Sequence, residues 1–130
     1  MNKLARLTIL VKNQDEALSF YVDKLGFEKR IDQKFWGNMR WLTVAPKGQT
    51  DFELTFVVAD TEEKQRALGK QAGDHVLMTL ETDDCKRDYQ NMRTKGVKFH
   101  GEPTEQMWGT EVVFEDLYGN LYDLVQRSKM

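Results

Sequence analysis

A repeat constrains this fold more than any other feature of the sequence. KLGFEKR at residues 24–30 is answered by TKGVKFH at 94–100, and DFELTFV at 51–57 by NLYDLVQ at 120–126. The first pair aligns a helix end with the strand after it. The second aligns two closing strands and, with a shift of one residue, puts Glu53 and Asp123 in equivalent places. Self-similarity of this kind marks one supersecondary unit used twice, each copy burying its apolar face by stacking on its partner.

The order of elements follows from hydrophobic period. LARLTILV (4–11) alternates apolar and polar residues, as a half-buried strand does. Asn13 stands where an N-cap belongs, before QDEALSFYVDKL. In that stretch Ala17, Leu18, Tyr21, Val22 and Leu25 fall at helical spacing, and Gly26 closes it. FEKRID, MRWLTVA and DFELTFVV read as three strands, with the turn PKGQTD between the last two. DTEEKQRALGKQAGD reads as a short polar helix and linker without a counterpart. The order then restarts: strand HVLMTLE, helix CKRDYQNMRTK capped by Asp84 and ended by Gly96, then VKFHGEP, TEVVFED and LYDLVQR. The expected fold is α+β within a single domain, residues 1–130. Two tandem βαβββ modules, about 1–58 and 74–127 with a linker helix over 59–73, curl into a cup-like mixed sheet.

Composition removes several function classes. With 130 residues the chain suits one domain that buries about two thirds of its unfolded surface. The net charge of -2, with signs interspersed, offers no basic stripe for nucleic acid. No apolar run is long enough to span a bilayer, and the N-terminus lacks the pattern of a signal peptide. The single cysteine, Cys85, has no internal disulfide partner, which fits a reducing cytoplasm. Its place beside the Asp84 cap is one where a thiol pKa can fall, although packing is the expected role.

Three stretches carry a family resemblance: ALSFYVDKLGF, TDDCKRDYQNMRTKGVKF and the closing WGTEVVFEDLYGNLYDL. They resemble the vicinal oxygen chelate superfamily, which includes glyoxalase I, extradiol dioxygenases and the fosfomycin and bleomycin resistance proteins. The last stretch is similar to that family's closing hairpin, with Leu117 in place of the usual proline and Asp123 in place of glutamate. Such a resemblance speaks for fold rather than reaction, because one scaffold hosts many sites.

The resemblance also implies a set of metal-ligand positions. They fall on Arg6, Glu53, Leu77 and Asp123, so both carboxylates are kept and both histidines are lost. Mid-series divalent ions favour imidazole ligands, and a guanidinium offers no lone pair. Arg6 is therefore expected to stand in for the ion's charge by pairing with Glu53 and Asp123; the alternative is that it faces solvent. His75, two residues before Leu77, lies on the same strand face about 7 Å away. A bulge there would make His75, Glu53 and Asp123 a ligand triad, so the cofactor is either none or one manganese, iron, nickel or zinc ion. His100, at a strand end, is expected to be solvated.

Arg6, Trp41, Phe56 and Trp108 are expected to line the ligand pocket, with Trp36 a further aromatic candidate, whereas Tyr122 points away from Asp123 into the core. Two functions follow. One is a metal-free protein of the bleomycin-resistance sort that binds a small molecule in its cup. The other is a divalent-metal-dependent lyase, isomerase or dioxygenase of the glyoxalase type, with Glu53 or Asp123 as ligand or general base. Open sheet edges suggest a homodimer.

Overall fold

A computed structural model describes residues 1–128 of the chain. It contains two compact units, Met1–Leu68 and a second beginning at Gly69. In the first, strand β1 (Arg6–Val11) leads into helix α1 (Gln14–Ser19), which continues as a π-helical turn over Phe20–Lys24. Strands β2 (Phe27–Lys34), β3 (Arg40–Pro46) and β4 (Glu53–Val58) follow, and the short helix α2 (Glu62–Ala67) comes last. The second unit repeats the order as β5 (Val76–Glu81), α3 (Cys85–Thr94), β6 (Lys98–Gln106), β7 (Gly109–Glu115) and β8 (Leu121–Arg127). Each unit is thus a βαβββ module, and each holds one four-stranded mixed sheet. The orders are β1-β4-β3-β2 and β5-β8-β7-β6, with the first two strands of each parallel.

In the first unit, alternation decides which face is buried. Ile9 and Val11 of β1, Leu42 and Val44 of β3, and Leu54 and Phe56 of β4 lie on one face, all at most 3% exposed. The Tyr21 ring covers this face, 5.1 Å from Phe56 and 5.6 Å from Phe27. The helix is held at its start by Asn13, whose side chain accepts from the Glu16 N–H at 2.8 Å. Gln14 donates to the carbonyls of Arg40 and Phe56, pinning the first turn to β3 and β4. The π-helical turn departs from the regular helix expected. Its wider turn puts the consecutive residues Phe20 and Tyr21 both among buried side chains.

In the second unit an aromatic seam performs the same task. Tyr89 of α3, Phe99 of β6, Phe114 of β7 and Tyr122 of β8 follow one another at centroid distances of 4.7, 5.6 and 5.2 Å. Cys85 lies at the buried start of α3, its N–H donating to the Gln126 side chain at 2.9 Å. Burial pushes its thiol pKa up, with nearby carboxylates adding to the effect. The lowering conceivable from its helical position does not occur, and Cys85 is a packing residue.

The β7–β8 turn is organised around Asp116. Its Oδ1 accepts from the backbone N–H groups of Tyr118 and Asn120, and its Oδ2 from the Asn120 side chain, at 2.8–3.0 Å. Gly119 takes φ +96°, a conformation that glycine adopts without strain. Asp116 and Asn120 are 5% and 2% exposed, so these bonds form away from water. Replacing Asp116→Ala strands three donors, two of them buried, and is expected to cost about 3 kcal/mol, read as a fall in the urea midpoint.

Candidate functional site

The free face of the first sheet follows from the buried one. Because Leu54 and Phe56 point toward α1, Glu53 and Thr55 point the other way. Parallel register sets Arg6 beside Glu53 and Thr8 beside Thr55, and Thr55 is in turn opposite Thr43. The Arg6 Nε donates to Glu53 Oε1 at 3.0 Å, and its guanidinium carbon lies 5.1 Å from the centre of the Trp41 ring. Arg6 is 45% exposed at its side chain and Glu53 only 17%. A half-buried carboxylate thus gains a cation that is itself held against an indole face.

The second sheet carries a different charge pattern. Antiparallel register puts Asp123 opposite Val113, and Glu111 and Glu115 flank Val113 on the same face of β7. Glu115 is compensated: His100 Nε2 lies 2.6 Å and Lys98 Nζ 3.4 Å from its Oε2. Asp123 instead shares a hydrogen bond with Glu111. Burial, then that bond and the Glu111 charge, push the Asp123 pKa up to about 6. Its Oδ1 is shielded from solvent without a hydrogen-bond partner.

Several expected site residues find different places. Phe56 does not line the ligand face: it is 1% exposed and packs on Tyr21, because its even position in β4 opposes that of Glu53. Trp108 is 56% and Trp36 87% exposed, at the tips of the β6–β7 and β2–β3 hairpins. Tyr122 is fully buried.

The register of β5 is irregular between Val76 and Met78, so Thr79, not Leu77, is aligned with Asp123. That bulge does not recruit His75, whose Nδ1 lies 3.2 Å from the Val76 carbonyl at an exposed position. His100 is not at a strand end, because β6 runs on to Gln106 as an edge strand that accommodates Pro103 near a register shift. Its pairing with Glu115, and that of Glu111 with Asp123, escaped the sequence reading. The antiparallel hairpin register, once drawn, puts all four side chains on one face.

These observations have a family context. Residues 3–124 match the glyoxalase/bleomycin resistance protein/dioxygenase superfamily. The chain belongs to that superfamily. It is 42% identical to an uncharacterized protein of Shewanella frigidimarina, over 95% of this chain and 92% of that one. The crystal structure of UcmS2 superposes with a TM-score of 0.85 at 36% identity, covering 96% of this chain and 98% of that one. TnmS3, an antibiotic binding protein from Streptomyces sp. CB03234, gives a TM-score of 0.81 at 31% identity, with 98% of each chain covered.

The donor set does not fit the histidine-rich metal site that the family resemblance implies. Arg6 brings a permanent cation to the first-strand position and holds Glu53 in an ion pair. Neither Leu77 nor Thr79 of β5 supplies the imidazole that a mid-series divalent ion prefers. Among the described residues, no three His, Cys, Asp or Glu side chains within either unit gather closely enough to hold one ion.

Asp123 gives the second unit a pH-dependent stability. Its folded-state pKa of about 6 stands above the ordinary 3.8, so the folded chain binds this proton more tightly. The contribution is fully present below the ordinary pKa and is lost as pH rises through about 6. Asp123→Asn, which stays neutral and can still donate to Glu111, is expected to gain about 1 kcal/mol over wild type at pH 8, after allowing for solvent screening. At pH 5, which lies between the two pKa values, the gain falls to about half, and it vanishes only below the ordinary 3.8. Urea unfolding at both pH values reads the difference, and an equal gain at both would contradict the assignment.

Proposed function

We propose that this protein binds a small molecule without a metal ion, on the sheet face that carries Arg6, Glu53 and Trp41. The observation that carries this reading is the Arg6–Glu53 ion pair at 3.0 Å, in which a guanidinium takes the charge-balancing role at a position where metal-dependent relatives put a ligand. The likeness to TnmS3, described as an antibiotic binding protein, supports a binding role rather than turnover. Trp41 offers an aromatic surface, and Thr55 a hydroxyl beside Glu53 on the same strand face. Homodimerisation belongs to the same proposal, supported by β2 and β6, each an edge strand within its own sheet.

Elemental mass spectrometry after incubation with manganese, iron, nickel and zinc and exhaustive dialysis tests the metal-free reading. The wild-type protein is expected to retain no stoichiometric ion. Arg6→His exchanges the cation for an imidazole beside Glu53 and is expected to raise zinc affinity about tenfold or more. One tightly held ion per wild-type chain would overturn the reading.

A further inference from the structure

The way Arg6 is held specifies more about its ligand than a general affinity for small molecules. A guanidinium carries five N–H donors in a planar fork. Among the described residues only its Nε–H is used, on Glu53 Oε1, and the Nη groups have no acceptor. The side chain is nonetheless fixed in place, because Glu53 holds its Nε at 3.0 Å while the Trp41 ring lies 5.1 Å from its central carbon. With 45% of the side chain exposed, the paired Nη edge is the part left for an incoming group. Two parallel N–H bonds match the two oxygens of a carboxylate, and a fork already fixed in place loses little rotamer freedom when it engages one.

The surroundings of the fork select what carries that carboxylate. Trp41 and Val57 belong to the same sheet and alternate onto the face of Arg6 and Glu53, both short of full burial, whereas Leu10, beside Val57 on β1, is part of the core. An apolar and planar body can therefore lie along the face while its charged end meets Arg6. The ion pair leaves the Glu53 charge largely compensated by the Nε side of the guanidinium. The opposite edge still presents positive charge to an anion.

We propose that Arg6 anchors an aromatic carboxylate through its Nη edge, with Glu53 as the positioning residue that aims the fork and Trp41 as the surface beneath it. This assignment rests on the small-molecule reading above and narrows it to one ligand class. Glu53 does not touch the ligand; it acts by holding the Nε side.

The test uses 1-naphthoate and its neutral isostere 1-naphthamide as probes of the full-length protein. Titration by calorimetry is expected to show naphthoate binding about tenfold or more tightly than the amide, with the preference shrinking as sodium chloride is raised. In the unmodified protein, the Arg6 Nε–H resonance in nitrogen-15 NMR is expected to shift with naphthoate and not with the amide. Arg6→Met should remove the preference for the acid. Arg6→Lys should keep the charge but lose most of the preference, because an ammonium has no fork. Glu53→Gln should weaken naphthoate about threefold while leaving the amide unchanged, a split that a merely structural role would not produce.

Equal affinities for the two probes, or a preference that survives Arg6→Met in a folded variant, would overturn the inference. The two levels of proposal fail differently. A protein that binds both naphthyl probes equally loses the carboxylate assignment and keeps the small-molecule reading. A protein that binds neither probe and retains a stoichiometric divalent ion loses both.

Discussion

The packing of aromatic rings between helix and sheet is the constraint on which the rest of each unit depends. Phe56 against Tyr21 in the first unit, and the seam from Tyr89 to Tyr122 in the second, decide which face of each sheet is dry. Strand geometry does the rest, since every residue one step away from a buried ring must project from the opposite face. Glu53 and Asp123 project from the opposite faces because Leu54, Phe56, Tyr122 and Leu124 are committed to the core. A one-residue slip of either closing strand would exchange core and site together, so fold and function share one register.

The carboxylates on the free faces then differ in how they are compensated. Glu53 has a guanidinium that is itself supported by an indole, and Glu115 has an imidazole and an ammonium. Asp123 is buried and has the Glu111 carboxyl group beside it, and its proton is held accordingly. Equivalent positions in a duplicated module have thus acquired opposite electrostatics. The first unit offers a positioned cation and the second a proton-sharing pair, although both descend from the same strand pattern. Fold similarity alone could not distinguish them, because the difference lies in the neighbours that each carboxylate meets.

Much of the architecture was legible in the chain because it rests on local chemistry. Asn13 and Asp84 cap helices where their side chains can accept from N–H groups three residues on. Alternation in TEVVFED and LYDLVQR marked the closing hairpin, and LYGN marked its turn, whereas the part Asp116 plays there came from the structure. Of the pairing of Arg6 with Glu53 and Asp123 expected from the family's ligand positions, the parallel register of β1 and β4 accounts for the part with Glu53. What escaped were departures from regularity. The π-helical turn at Phe20–Lys24, the bulge around Leu77 and the long edge strand that carries His100 each insert or rotate residues without a composition signal. Phe56 was assigned to the ligand face on its aromatic character, although strand parity opposes it to Glu53.

By itself the sequence determined the two βαβββ modules with their caps and turns, which follow from residue type and spacing acting over a few positions along the chain. That Arg6 stands where an imidazole is usual is what the family resemblance implies. Only the tertiary structure decided that Trp41 lies beneath Arg6, that Glu111 is the neighbour of Asp123, and that His100 belongs to Glu115. Those contacts join different strands, and which side chains meet depends on bulges and hairpin register that no local pattern encodes. Electrostatic character depends on such neighbours at a few ångströms, so the chemistry of each carboxylate was settled by folding.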